Sequence, residues 1–396
     1  MTPTDPGYAA YVARHERPGD AADLALARLH IERLPARPRI DVVMPVHDPP
    51  EAFLGAAIES ALGQIYPDLT LCLHDDASRE PHVARVLAAA AARDPRVRIS
   101  RSERNEGIAR ATNRALALGD GDFVLFLDHD DLLAPHALLV HADAVARHPG
   151  AAIVHSDGDL LDGEGRRTSP IWKPRYDPAL LRGFNLVWGL FRRSLLEGLA
   201  GMREGFPGAE DHELSLRAAE AAGAAGIVHA PHVLYHWRMV PSSYSHRHFE
   251  RCLASSRRAV TEHCARIGLA ADVDGAPGAP GFTRAIPRYT PPGGVLVVRD
   301  APEEATPARR DALLRSTTAT LVAFVDGRLG APPGSLEELL AAPFGEADVV
   351  AASPGIDSGD GAIEQRGLLL GVREVASGPP VARALRGLPA SARAGL

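Results

Sequence analysis

Three aspartates crowd into four consecutive positions of the run FVLFLDHDDLLAP: Asp128, Asp130 and Asp131, with His129 between the first two. Carboxylates this close repel one another unless a proton or a cation lies between them. Their hard oxygens suit Mg2+ or Mn2+. Such an ion, held by one or two carboxylates, takes its other ligands from water and substrate phosphates. Helix capping by Asp131 ahead of LLAPHALL explains one of these residues but not three. Asp128, Asp130 and Asp131 are therefore read as divalent-metal ligands beside a phosphorylated substrate.

Other polar clusters follow apolar runs in the same manner. Asp75 and Asp76 end LTLCLHDD beside the small Ala77 and Ser78. A carboxylate there can accept from the imide of a pyrimidine or from a ribose hydroxyl, although a helix-capping turn is the plainer use. In RNEGIARATNRAL, Gly107 permits a tight turn after Asn105, and Arg110 or Arg114 is placed to face a diphosphate. Glu210 and Asp211 follow a Pro-Gly turn and open an amphipathic helix. Asp211 suits a general base, provided burial or a neighbouring carboxylate lifts it from the usual ~3.9. His236 and Arg238 in VLYHWR follow an apolar strand and are candidates for metal or diphosphate contact. Trp172 and Lys173 in PIWKPRY are candidates to flank an acceptor. His246 and His248 have ligand chemistry but no evident partners, and read as solvated.

These residues need elements to position them. RIDVVMPV is an apolar, β-branched run broken at the turn-forming His47-Asp48-Pro-Pro, which reads as a buried parallel strand. EAFLGAAIESALGQI has helical apolar spacing. Strands LTLCLHD, VRISR, FVLFLD and AAIVHSD then alternate with helices EPHVARVLAAAAARD, IARATNRALAL and PHALLVHADAVARH. That alternation predicts an α/β fold, a doubly wound and mostly parallel sheet with helices on both faces. Ligands of such sheets bind beyond the carboxyl ends of the strands, where the polar clusters stand. Pro45, Val46 and Asp48 end the first strand and join the ligand-contact candidates. Residues 1–37 read as a helical leader, with AADLALARLHIERL packing on the next domain and Pro35 and Pro38 ending it.

Composition bounds the function. The chain has 396 residues, 45% hydrophobic and 23% charged, with a formal net charge of −7. No basic cluster suggests a nucleic-acid partner. The three cysteines, Cys72, Cys252 and Cys264, lack metal-site or redox spacing, and Cys72 lies in an apolar run. This suits a reducing cytoplasm. The N-terminus lacks the order of a signal peptide, and no apolar run is long enough for a bilayer span. Peripheral contact at the inner face of the plasma membrane stays open.

In order along the chain, PVHDPP, DDAS, RNEGIARATN, LDHDD, KP, GAEDHEL and YHWR resemble the family 2 glycosyltransferases of the GT-A fold, especially bacterial enzymes of polysaccharide or O-antigen assembly. The resemblance covers about residues 38–262. It implies a mixed GT-A sheet and a nucleotide-sugar donor (UDP-, dTDP- or GDP-linked). It also implies a glycan or lipid-linked acceptor and inversion at the anomeric carbon. Carried over by position, Asp128, Asp130 and Asp131 bind the metal and diphosphate, Asp75 and Asp76 the nucleoside, and Asp211 is the base beside Glu210. His47 stands where an aromatic residue is frequent in the family. Rival readings are a nucleotidyltransferase, which needs a Gly-rich basic loop that PVHDPPEAF lacks, a phosphatase, whose nucleophilic Asp follows the first strand, and a non-catalytic sugar-nucleotide sensor.

Beyond a linker at 263–290, residues 291–396 look like an eroded second copy. LVAFVDGRLGAP at 321–332 parallels FVLFLDHDDLLAP. It keeps Asp326 but has Gly327 and Arg328 in place of the acidic cluster. The expectation is a smaller, non-catalytic α/β module with a flexible tail.

Overall fold

Residues buried on both sides make a central strand, and the run at 40–46 is one. β1 (Ile40–Val46) is buried at every position. In the computed structural model it pairs in parallel with β2 (Leu69–Asp75) on one edge and β4 (Phe123–Phe126) on the other. β2 pairs in parallel with β3 (Val97–Arg101). The structure describes residues 6–15, 21–185, 188–239, 244–276, 281–288, 295–300, 309, 321–326, 355–357 and 363–366.

Past β4 the sheet becomes mixed. It gains β5 (Leu132–Leu133), β6 (Ile153–Leu161), β7 (Arg167–Ile171), β8 (Gly189–Arg192) and β9 (Ile227–Arg238), in the order β3-β2-β1-β4-β8-β6-β9-β5, with β7 on β6. β8 runs antiparallel to both β4 and β6, and β9 runs parallel to β6. β6 and β9 therefore point the same way as β1, β2 and β4. The carboxyl ends of these strands share one sheet edge. The α/β, doubly wound sheet expected from the sequence is present. It is more mixed than the alternating pattern alone implied, because β5, β7 and β8 are short and carry little periodicity.

Pleating divides the core. Val42, Met44 and Val46 join one apolar cluster with Leu54 and Ile58 of α3 (Glu51–Leu62), Val83 and Leu87 of α4 (Pro81–Arg93), and Leu138 of α6 (Ala137–Arg147). Val43, Cys72 and Val124 are equally buried but alternate to the opposite face. There α5 (Ile108–Leu116) brings small residues, Ala109, Ala111 and Ala115, close to the sheet. Gln64, buried after α3, donates to the Ala134 carbonyl at 2.8 Å and accepts from the Leu138 amide at 3.0 Å. It clamps the segment that follows the aspartate cluster.

The leader differs from expectation. It holds two helices, α1 (Pro6–His15) and α2 (Ala21–Arg33), and it belongs to the same compact unit as the sheet, Met1–His263 with Asp274–Arg284. In α2 only Ile31 is buried, whereas Leu24, Leu26 and Leu29 are 38%, 64% and 40% exposed. Their angular positions spread around the helix, so one face cannot cover them all.

The second unit is Cys264–Val273 with Ala285–Leu396. The span expected to be a linker includes strands Ala271–Gly275 and Thr283–Pro287. Further on, Val295–Asp300 pairs in parallel with Leu321–Asp326, the strand of the proposed eroded copy. Gly327 and Arg328 lie outside the described residues. Among the described residues no helix is long and apolar enough to cross a membrane.

One buried ion pair ties the sheet together. Asp41 of β1, fully buried, accepts from the Gly121 amide at 2.7 Å and pairs with Arg193, the first residue of α8 (Arg193–Gly198). Removing one member strands the other's charge in a low-dielectric interior. Asp41→Ala should therefore cost about 3–5 kcal/mol of stability in urea denaturation. A cost below about 1 kcal/mol would show that the pair contributes little to the sheet.

Candidate functional site

The loops at the shared strand edge are stitched to one another. The Asp76 amide donates to the Val46 carbonyl at 2.8 Å, and His47 Nδ1 donates to the Asp76 carbonyl at 2.9 Å. His129 Nδ1 donates to the Pro45 carbonyl at 3.2 Å, which joins the β4 loop to β1. Two non-glycine residues here have positive φ, Asp48 at 46° and Ala77 at 57°. Asp tolerates this region better than most residues. Asp48 accepts from the amides of Arg79 and Glu80 at 2.6 and 3.0 Å. Burial works against its charge, but those two amides hold its carboxyl below the ordinary range.

Asp75 and Asp76 sit at this edge, and both are already engaged. Asp75 pairs with Arg101 and accepts from the Ser78 amide at 2.8 Å. Asp76 accepts from the amides of Glu106 and Gly107 at 2.8 and 2.9 Å. Asn105 Oδ1 accepts from the Gly107 amide at 3.1 Å and shapes the same turn, where Gly107 has a φ of 88°. Any nucleoside contact must use the remaining lone pairs of these oxygens.

The aspartate cluster splits by role. Asp131 is buried. Its Oδ2 accepts from the Tyr235 hydroxyl at 2.6 Å and its Oδ1 from the Arg238 amide at 2.7 Å. Asp128 is exposed and Asp130 half-buried. Desolvation, then the charges of Asp130, Asp211 and Glu210, push the Asp128 carboxyl from 3.8 up to about 7. Burial, with Asp128 and Asp130 beside it, raises Asp131 well above the carboxylate range. Residues about 80 positions apart in sequence therefore act on one another through space at this edge.

Asp211 lies in the first turn of α9 (Glu210–Ala222). It is exposed, and Asn185 Nδ2 donates to its Oδ2 at 2.9 Å. Glu210 is largely buried and accepts from the Gly208 amide at 2.8 Å. Burial and the adjacent Asp211 charge raise its carboxyl. His212 is anchored beneath, donating through Nε2 to the Leu181 carbonyl at 2.7 Å. The result is one open carboxylate, held by an amide, opposite an acidic strand tip. Such an arrangement can take a proton from a hydroxyl and hold a cation.

Several expected contacts are corrected by packing. His236 and Arg238 lie inside β9, not after it. Arg238 is buried, donates from Nε to the Asp130 carbonyl at 2.7 Å and stacks on Phe53, so it braces the aspartate loop. His236 Nδ1 donates to the buried Asp159 at 2.6 Å. Arg110 pairs with Glu204 at 2.6 Å and Arg114 with Glu106, both at the surface. Lys173 and Trp172 part company. Lys173 is buried with its ammonium over the Trp188 ring at 4.6 Å, and desolvation pushes it down to about 7. Trp172 is 53% exposed. His248 is exposed as expected, and the His246 side chain lies outside the described residues. Asn185, Tyr235 and Asp159 carry no signal in the sequence, since their hydrogen-bond partners Asp211, Asp131 and His236 lie 26, 104 and 77 positions away.

Among the described residues no three His, Cys, Asp or Glu side chains are gathered at ligand spacing. A Mg2+ or Mn2+ held chiefly by phosphates and water needs only one or two carboxylates. The concentrated negative charge around Asp128 is what such a cation would relieve, so the donor set fits it.

The model for glycosyl transferase family 2 matches residues 41–190. The chain is 40% identical over 270 residues to an O-antigen biosynthesis protein, RfbC, of Myxococcus xanthus, covering 67% of this chain and 21% of that protein. The matched part spans only about a fifth to a quarter of the first curated relatives' length. Among solved structures, S. aureus TarS 1–349 in complex with UDP aligns with a TM-score of 0.46 at 19% identity, covering 57% of this chain and 65% of that one. A Pyrobaculum calidifontis mannosyltransferase, PcManGT, in complex with GDP-Man and Mn2+, aligns at 0.43 and 18% identity, covering 62% and 70%.

The raised value at Asp128 has a signed consequence. Between about pH 4 and 7 the unfolded chain has lost this proton and the folded one keeps it, so stability falls as pH rises through that window. Asn carries no such proton. In chelator, the melting temperature of Asp128→Asn relative to the parent should climb from about pH 4 to about 7 and then level off. A difference independent of pH would mean that Asp128 is not crowded by other carboxylates.

Proposed function

We propose, from the premise that this chain is a member of glycosyl transferase family 2, that it moves a sugar from a nucleotide donor to a hydroxyl with inversion at the anomeric carbon. The observation that carries this reading is the pairing across the cleft of an open Asp211, oriented by Asn185, with the charge-crowded Asp128 and Asp130.

Asp211 accepts the proton of the acceptor hydroxyl as that oxygen attacks. The Asn185 amide occupies one carboxylate oxygen and leaves the other to the substrate and the His212 amide. Glu210 lies beside it at the start of α9. Attack comes from the face opposite the departing nucleoside diphosphate, which inverts the configuration. A bound Mg2+ or Mn2+ offsets charge on the departing diphosphate. Asp128 and Asp130 are the residues that would hold it, while Asp131 keeps their loop in place through Tyr235 and Arg238. The rim formed by Pro45, Val46, Asp48, Asp75, Asp76, Asn105, Gly107 and His129 is assigned to the nucleotide, whether UDP-, dTDP- or GDP-linked.

The RfbC relative supports an acceptor in cell-surface polysaccharide assembly, a glycan or a lipid-linked sugar. A cytoplasmic site of action, with or without peripheral membrane contact, fits that role.

A panel of UDP-, dTDP- and GDP-sugars, assayed with Mn2+ for transfer and for slow hydrolysis, tests the reading. With the donor that reacts, Asp211→Asn should lower turnover about a thousandfold while the donor KM changes little. Asp130→Asn should abolish metal-dependent donor binding. Full transfer by both variants in chelator would reject the assignment.

A further inference from the structure

α1 is pinned to the catalytic unit by one buried carboxylate. Asp159 of β6 is fully buried and takes three donors from three segments: the Tyr8 hydroxyl at 2.7 Å, Arg167 Nε at 2.5 Å and His236 Nδ1 at 2.6 Å. Arg167 Nη2 also donates to the Tyr8 hydroxyl at 3.0 Å. Tyr8 is thereby sunk to 4% exposure while the helix around it stays mostly open.

The pin sets an aromatic group in place. Tyr11, one turn on, stacks on Tyr8 with ring centres 5.9 Å apart. Trp172, just past β7, meets Tyr11 edge-on at 5.4 Å and Tyr8 at 6.2 Å. Tyr11 is half-buried and Trp172 is 53% exposed. A tryptophan this open, propped by a helix from the far end of the sequence, is an unusual use of a large apolar side chain.

Register locates it. Val124 of β4 lies level with Phe191 and through it with Ile153 of β6. Four residues on, β6 reaches Asp157, while β4 ends at Phe126, two residues before Asp128. Ile171 is paired with Gly158, and the Lys173 amide donates to Asp157 at 3.0 Å, so Trp172 stands beside Asp157 toward the carboxyl end of β6. β7 occupies the edge of β6 that faces β8 and β4. β7 therefore lies on the β4 side of β6, toward the sheet edge that carries the aspartate loop.

We infer that Trp172 and Tyr11 form a stacking subsite for a pyranose ring of the acceptor, and that the Tyr8–Asp159 hydrogen bond holds Tyr11 there. This rests on the glycosyltransferase reading for the identity of the ligand. The C–H faces of a pyranose carry the partial positive charge that an indole face attracts, and its hydroxyls stay in water. Lys173, buried beneath, takes no part. The leader is then a working part of the acceptor site.

Saturation-transfer NMR on the full chain, with methyl glycosides of glucose, galactose, mannose, rhamnose and N-acetylglucosamine as probes, reads this directly and needs no turnover. At least one glycoside should receive saturation on its ring protons from the parent protein. Trp172→Ala and Tyr11→Ala should each weaken that signal about fivefold. Tyr8→Phe, which keeps the ring and loses the pin, should weaken it less. Melting curves check that each variant is folded. Absence of any signal from the parent, or equal signals from the parent and from folded Trp172→Ala and Tyr11→Ala, would overturn the inference even if a nucleotide sugar proves to be the donor. Loss of signal in those two variants would support it even if every nucleotide sugar in the panel failed.

Discussion

Mutual repulsion among carboxylates at one sheet edge governs this structure. Asp128 and Asp130 follow β4, Glu210 and Asp211 open α9, and the charges of the other three bear on Asp128. Left alone, such a group would spread apart or take up protons. Desolvation first, and neighbouring carboxylates after it, raise Asp128 and Glu210, and several donors are recruited to hold the surrounding segments.

Those donors are specific. Tyr235 and the Arg238 amide take the two oxygens of Asp131, and Arg238 Nε takes the Asp130 carbonyl. Asn185 holds Asp211. Asp76 is locked by the amides of a glycine turn. The carboxylates that remain open, Asp128, Asp130 and Asp211, are the ones whose charge is left for a substrate or cation to answer. Rigid bracing of neighbours around a few unsatisfied groups is how a site keeps its geometry before ligand arrives.

Local sequence revealed the strands, the helices between them and the acidic tips, because buried strands and amphipathic helices write their periods directly. It revealed less about β5, β7 and β8, which are too short for a period to register. Charged residues were harder still. Arg110, Arg238 and Lys173 all looked available in sequence, yet each is paired, buried or both, and pairing is a tertiary property. Asn185, Asp159 and Tyr8 stood in unremarkable surroundings, and their roles emerge only where segments far apart in sequence converge. The leader illustrates the same limit. Its apolar pattern pointed to α2 as the packed helix, but the contact that matters is made by one tyrosine of α1.

Anomalous scattering from crystals grown with Mn2+ and a nucleoside diphosphate tests the central claim most directly, that the acidic strand tips converge on one cation-bearing diphosphate. The account predicts a single manganese peak coordinated by Asp128 or Asp130 and the diphosphate, with Asp211 facing the same cleft. A peak on another surface, or a diphosphate bound away from the β4 loop, would contradict it.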